Sequence, residues 1–234
     1  MKNEEKLEQR AIRSESESLK RIENFWYHYK WPTIIVCFFV IVFTVCTMQI
    51  CNKESYDISI VYAGPCNIDP NRSNDIKNVF DFTITNDFDG DGAKNTQLVS
   101  YLIYTKEQIE KVEAQETAYV DRSYISNENK NFFNYASSEA GICFIDPSLY
   151  QSLKESDRLI DITETLGYAP EGLIDDHGVK LSETGLYKEY AVIQQLPEDT
   201  VVCLLRKQLT KKQDAYDDEL ETFKEIIGYN SDVD

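Results

Sequence analysis

The chain is predicted to carry one membrane-spanning helix followed by one α/β domain with a mostly parallel sheet. Three observations lead there: an uncharged apolar run near the N-terminus, strand-like and helix-like segments that alternate after it, and a charge balance that turns strongly acidic beyond it. Between Lys30 and Lys53 no residue is charged, and Thr33–Cys51 reads TIIVCFFVIVFTVCTMQIC. These nineteen residues, at a helical rise of about 1.5 Å each, span about 28 Å, close to the hydrocarbon thickness of a bilayer. With no water there, every backbone amide must bond within its own segment, which a helix achieves.

The run is apolar all round, where a core helix keeps a polar stripe. About thirty residues precede it, more than the short basic n-region of a signal peptide, and no small-residue cleavage site follows. Cys51 follows Ile50, and a lipobox needs a small residue there. The run therefore reads as an uncleaved anchor. Phe25, Trp26, Tyr27, Tyr29 and Trp31 cluster before it, where amphipathic rings settle at headgroup level. Lys20, Arg21 and Lys30 flank that end against Lys53 on the other, so the positive-inside rule keeps the N-terminus cytoplasmic. The resulting organisation is a cytoplasmic, partly helical stub (1–30), a transmembrane helix (31–51) and an extracytoplasmic α/β domain (52–234).

Residues 1–51 hold seven Lys/Arg and six Asp/Glu, which leaves 24 − 7 = 17 basic and 41 − 6 = 35 acidic residues beyond, a net of −18. Such a surface repels nucleic acid and anionic lipid and suits cationic ligands or divalent metal. Cysteines 66, 143 and 203 are an odd, widely spaced set without C-x-x-C, and only His177 lies in this region. A zinc site or a disulfide scaffold is disfavoured, and Cys143 and Cys203, inside apolar runs, read as small buried hydrophobes.

Along the domain, a polar neck (52–55) leads to Tyr56–Tyr62, where Ile58, Ile60 and Tyr62 alternate with Asp57, Ser59 and Val61 as in a strand. Ala63-Gly64-Pro65 breaks it, and Asp69-Pro70 opens a helix carrying Ile76, Val79, Phe80 and Thr83 on one face. Gln97–Tyr104 is rich in strand formers. Thr105–Gln115 opens with a capping box, Thr105 and Gln108, and reads as a helix. Ser126–Ser138 is a further helix, Ile142–Ile145 a short buried strand, and Asp146-Pro147 starts the helix with Leu149, Tyr150 and Leu153. Residues 168–198 are irregular, Thr200–Arg206 is a strand apolar on both faces, and Asp214–Ile227 closes with an amphipathic helix. Alternating strands and helices argue for a largely parallel sheet.

The sharpest local signal is Asp87-Phe88-Asp89-Gly90-Asp91-Gly92-Ala93-Lys94-Asn95. Carboxylates at alternate positions curl around a cation, and glycine supplies the positive φ that turns the loop inward. Asp87, Asp89 and Asp91 match the first three ligand positions of a calcium loop, Ala93 offers its carbonyl, and Asn95 holds the ninth position. Leu98 stands where a bidentate Glu belongs, and a strand follows instead of an EF-hand's exiting helix. Calcium is the cofactor the pattern suggests, with a remote carboxylate or weak binding as its condition. The plainer alternative is an Asp/Gly-rich surface turn.

A second candidate is ligand binding by Gly64, Pro65, Cys66, Asp146 and Ser148, because ligands of open α/β sheets collect beyond the carboxyl ends of strands. Two helix-starting turns are the alternative there. No G-x-S-x-G, S-x-x-K or H-E-x-x-H occurs, so no enzymatic activity is expected.

Asn24–Pro32, NFWYHYKWP, resembles the aromatic-lysine entry of membrane-anchored proteins from clostridia and related Firmicutes. Residues Ser138–Gly167, with Gly141, the strand ICFI and the leucine-acid segment after it, resemble a stretch of extracellular solute-binding proteins. That likeness covers about thirty residues. It implies a reduced periplasmic-binding-like domain, a non-enzymatic tethered module for a small solute or an envelope partner protein. The other reading is a structural or assembly protein of the cell envelope whose Asp-rich loop holds calcium.

Overall fold

In the computed structural model, residues 2–51, 56–114, 120–138, 141–209 and 211–229 are described. The neck at 52–55 and Gln115 lie outside them. The chain divides into two compact units, 1–54 and 55–234.

The first unit is one helix, α1 (Lys2–Cys51), continuous through Pro32. Proline lacks the N–H that would reach the carbonyl four residues back, so the chain keeps its helix there at the cost of one bond. Pro32 marks the boundary between the charged and the uncharged part. Asn24–Met48 is long and apolar enough to cross a membrane, and its apolar side chains are exposed, Phe43 at 71% and Phe39 at 64%. Thr44 and Thr47 donate to the carbonyls of Val40 (2.8 Å) and Phe43 (2.9 Å), so these two hydroxyls are satisfied within the helix.

The second unit is built on one six-stranded sheet in the order β2-β1-β3-β6-β5-β4. The strands are β1 (Ile58–Gly64), β2 (Thr96–Leu102), β3 (Ile142–Ile145), β4 (Leu173–Asp175), β5 (Gly178–Lys180) and β6 (Val201–Leu204). The helices are α2 (Pro70–Thr83), α3 (Lys106–Glu113), α4 (Arg122–Ser138), α5 (Pro147–Glu155), α6 (Ile162–Leu166), α7 (Gly185–Glu189) and α8 (Gln213–Gly228).

The alternation of strand and helix holds through β3, and β1 pairs in parallel with both β2 and β3. Beyond β3 every pairing is antiparallel: β3 with β6, β6 with β5, and β5 with β4. The expectation of a mostly parallel sheet is therefore corrected to a mixed sheet, with two parallel and three antiparallel pairings. The physical reason lies in 168–198, where two short strands form a hairpin in place of a crossover helix. A strand buried on both faces, as β6 is, reads as the same apolar run in either direction.

Period-two alternation then divides the core. Ile58, Ile60 and Tyr62 face α2 and α8, packing with Ile76, Phe80, Phe223 and Ile226. Val61 and Ala63 face α4 and α5, packing with Phe132, Ala136, Leu149 and Leu153. Phe80 and Phe144 meet with ring centroids 5.2 Å apart. Each such buried aliphatic or aromatic side chain contributes about 1.5–3 kcal/mol relative to exposure, which is what holds helices on both faces.

Candidate functional site

Two groups of polar residues lie at opposite edges of the parallel strands. At the amino edge, Asp57 precedes β1 and the loop 87–95 precedes β2. Because β1 and β2 run parallel with Ile58 opposite Thr96, their starting points are side by side. The Asp57 N–H donates to the Asn95 carbonyl at 2.9 Å, and the Asn95 N–H returns to Asp57 Oδ2 at 2.8 Å. Asp57 Oδ1 accepts from the N–H groups of Phe88 (2.7 Å) and Asp89 (3.0 Å).

The loop itself is shaped by its acids. Asp87 accepts from Gly90 N–H (2.7 Å) and Gly92 N–H (2.8 Å), Asp89 from Asp91 N–H (3.0 Å), and Asp91 from Ala93 N–H (2.8 Å). Gly90 and Gly92 have φ of 73° and 90°, left-handed conformations that side-chain-bearing residues rarely adopt. The result brings one carboxylate oxygen from each of Asp57, Asp87 and Asp89 within 4.8 Å of the others. Oxygens bound to one calcium at about 2.4 Å are separated by no more than about 4.8 Å, so this spacing fits a shared cation.

Among the carboxylate ligands expected from sequence, Asp87 and Asp89 are in this group and Asp91 is not. Asn95 lies beside it through Asp57, and its Oδ1 is buried without a hydrogen-bond partner. Asp57 was missed. It occupies a polar position at the head of a strand thirty residues upstream (87 − 57), and only the parallel register brings it to the loop.

The surroundings are acidic. Asn86 donates to Glu221 of α8 at 2.7 Å, and Thr85 bonds to Glu225 through both its N–H and its hydroxyl. Partial burial raises the Asp218 carboxyl above the ordinary carboxylate range, and Asp214, Glu221, Asp217 and Asp57 add to the rise. The Lys94 ammonium, within the loop sequence, donates to the Ile84 carbonyl at 2.8 Å.

At the carboxyl edge the other candidate residues meet, at the point where α2 leaves β1 on one face and α5 leaves β3 on the other. Asp146 N–H donates to the Ala63 carbonyl at 2.9 Å. Gly64 lies under the Tyr62 phenol, since a Cβ there would stand 2.8 Å from the Tyr62 oxygen. That phenol accepts from Cys66 N–H at 3.0 Å. Burial pushes the Tyr62 hydroxyl pKa up, the Cys66 N–H opposes this, and the Cys66 thiol and Asp146 add to the rise.

Asp146 is nearly buried and fully engaged. Its Oδ1 accepts from Ser148 N–H (2.9 Å) and the Ser148 hydroxyl (2.6 Å), and its Oδ2 accepts from the Gln108 amide (3.0 Å). Gln108 also closes the capping box with Thr105. The Cys66 sulfur accepts from Arg72 Nη1 at 3.2 Å and donates to the Gln195 carbonyl at 3.8 Å. Pro65 is half-buried in the same turn. Two surface hollows are lined by other residues, one by Tyr168, Lys188 and Tyr229, the other along α4 by Asn129 and Phe133.

His177 sits in the β4–β5 turn, where its N–H donates to Asp175 at 3.0 Å and its Nδ1 contacts the Ile160 carbonyl at 2.7 Å. Asp175 also accepts from Lys154 at 2.6 Å and from the Tyr150 hydroxyl. Burial works to raise the Asp175 carboxyl, but Lys154, Tyr150 and His177 N–H together hold it below the usual carboxylate range. These bonds tie the hairpin to α5. Compared with known proteins, the chain matches no family model, no curated protein and no solved structure.

Proposed function

We propose that this chain is a non-enzymatic, membrane-tethered binding module, with residues 52–234 outside the cell and a divalent cation, calcium, as the ligand its geometry supports best. The observation that carries this reading is the convergence of Asp57, Asp87 and Asp89 oxygens within 4.8 Å, from two separate elements. Asn95, bonded to Asp57 through its backbone N–H, also carries a buried Oδ1 with no hydrogen-bond partner. A cation there would neutralise carboxylates that otherwise repel one another and the acidic face of α8. Millimolar calcium outside cells would load even a weak site. In this role the ion rigidifies the entry to β1 and β2, as in a structural or assembly protein of the envelope.

A solute-binding role at Gly64, Pro65, Cys66, Asp146 and Ser148 is the second reading, in keeping with the resemblance to solute-binding proteins. It is supported by the position of these residues where the connections from β1 and β3 diverge to opposite faces. Against it, Asp146 has both oxygens occupied by the protein's own donors.

Calorimetry on the full chain in detergent tests the calcium reading. Heat saturating at millimolar calcium or below, and lost in D57N and in D89A, is expected. Absence of heat in the unmodified chain would reduce the loop to a turn. Protease added to whole cells tests the orientation, with removal of the C-terminal region expected and its survival counting against it.

A further inference from the structure

Cys143 and Cys203 are sixty residues apart in sequence (203 − 143) and directly opposite in the sheet, as register partners on antiparallel β3 and β6. Both are fully buried free thiols in the same layer of the core. The Leu205 N–H donates to the Gly141 carbonyl, which makes 141/205 a hydrogen-bonded pair. Hydrogen-bonded pairs recur at every second position, so 143/203 is one as well. In such a pair the Cα atoms are about 5.5 Å apart, inside the window of about 4.4–6.8 Å that a disulfide spans. Both side chains leave the sheet on one face and share one core cluster, with the Cys143 thiol donating to the Gly141 carbonyl at 3.7 Å.

From this register we infer that Cys143 and Cys203 form an intramolecular cross-strand disulfide when the domain folds in an oxidising medium. A small disulfide such as oxidised glutathione supplies the oxidising equivalents. The first cysteine thiolate attacks it and releases one glutathione thiolate. The second cysteine thiolate attacks the resulting mixed disulfide and releases the other. Two cysteine protons end on two glutathione thiols, and one protein S–S bond has formed.

In the folded state burial pushes both thiols well above their ordinary pKa, with Glu219 adding to the rise at Cys143 and Cys143 adding to it at Cys203. The thiolate that must attack is therefore scarce once the sheet has closed. Exchange belongs to folding, before β3 and β6 are covered. Cβ atoms of directly opposite strand residues are about 4.5–5.5 Å apart, the longer value in hydrogen-bonded pairs, against about 3.5–4.5 Å in a disulfide, so the bond draws the strands together by about 1 Å or more.

The test uses the full chain in detergent. It is unfolded with dithiothreitol, refolded in oxidised glutathione, unfolded again, alkylated and mapped by peptide mass. The linked 143 and 203 peptides should lack two hydrogen atoms and carry no alkyl group, and the denaturant midpoint should exceed that of the reduced chain. Alkylation of both cysteines in most refolded molecules, or linkage of either to Cys66 instead, overturns the inference. In C143A, or in C203V should C143A not refold, the remaining thiol should become alkylatable. The bond's presence in cells rests on the outward orientation proposed above. Free thiols in alkylated whole cells, with the bond forming on refolding, would refute that orientation and leave the pairing intact.

Discussion

The two edges of the parallel strands treat carboxylates in opposite ways. At the carboxyl edge Asp146 caps α5, and its oxygens are taken up by Ser148 and Gln108. At the amino edge Asp57, Asp87 and Asp89 also accept backbone N–H groups, yet they are brought together with Asp218 of α8 nearby. One edge uses its acid to cap a helix, and the other gathers three carboxylates within reach of one another. Ligands of open α/β sheets usually collect beyond the carboxyl ends of strands. In this domain the convergence of charge lies at the other end.

The comparison is broken most sharply at Asp57, whose two oxygens hold three loop N–H groups. Bonds to a charged acceptor contribute about 1.5–3 kcal/mol each, and solvent access and loop relaxation reduce their sum, so D57A should cost about 3 kcal/mol. Denaturant unfolding of the full chain measures it. D89A removes the bond from Asp91 N–H at an exposed residue and should cost about 1 kcal/mol, while abolishing calcium heat equally. Equal stabilities of the two variants would mean that Asp57 does not organise the loop.

Next in size is the carboxyl edge. D146A removes an N-cap and the Gln108 contact and should cost about 1–2 kcal/mol, with the calcium isotherm unchanged. A change in calcium affinity would couple the two edges and end the distinction between them. Gly92 tests the loop's backbone instead. With φ of 90° and open space around its missing Cβ, G92A should cost about 1–2 kcal/mol from conformation alone and weaken calcium binding.

What the sequence made legible follows the same division. Local chemistry was readable: Asp69, Thr105 and Asp146 all cap the helices expected after them. Alternation in β1 and the stripe of α8 marked core residues correctly. Direction was not readable, because β3 and β6 are short, apolar and buried on both faces, and such runs carry no sign of the strand beside them. The hairpin of β4 and β5 was missed because three-residue strands lack room for a period to show. Asp57 and the Cys143–Cys203 pairing were missed for a related reason: both depend on register between strands distant in sequence.

The smallest expected effect sharpens the contrast through pH. Asp175 lies below the ordinary carboxylate range, so its contribution is present above the unfolded pKa and lost as pH falls through the folded one. Asp218 lies above that range, so the sign reverses: its contribution is full below the unfolded pKa and lost as pH rises through the folded one. Both groups are half-buried and still reached by solvent, which limits each effect to about 1 kcal/mol. D175N should therefore destabilise at neutral pH and converge with the unmodified chain in acid. D218N should stabilise at neutral pH, and calcium should erase the gain, because a bound cation already relieves the repulsion that the substitution removes. If D218N stabilises equally with and without saturating calcium, the charge around Asp218 is independent of the Asp57 group, and the amino edge is a set of separate acids instead of one cation site.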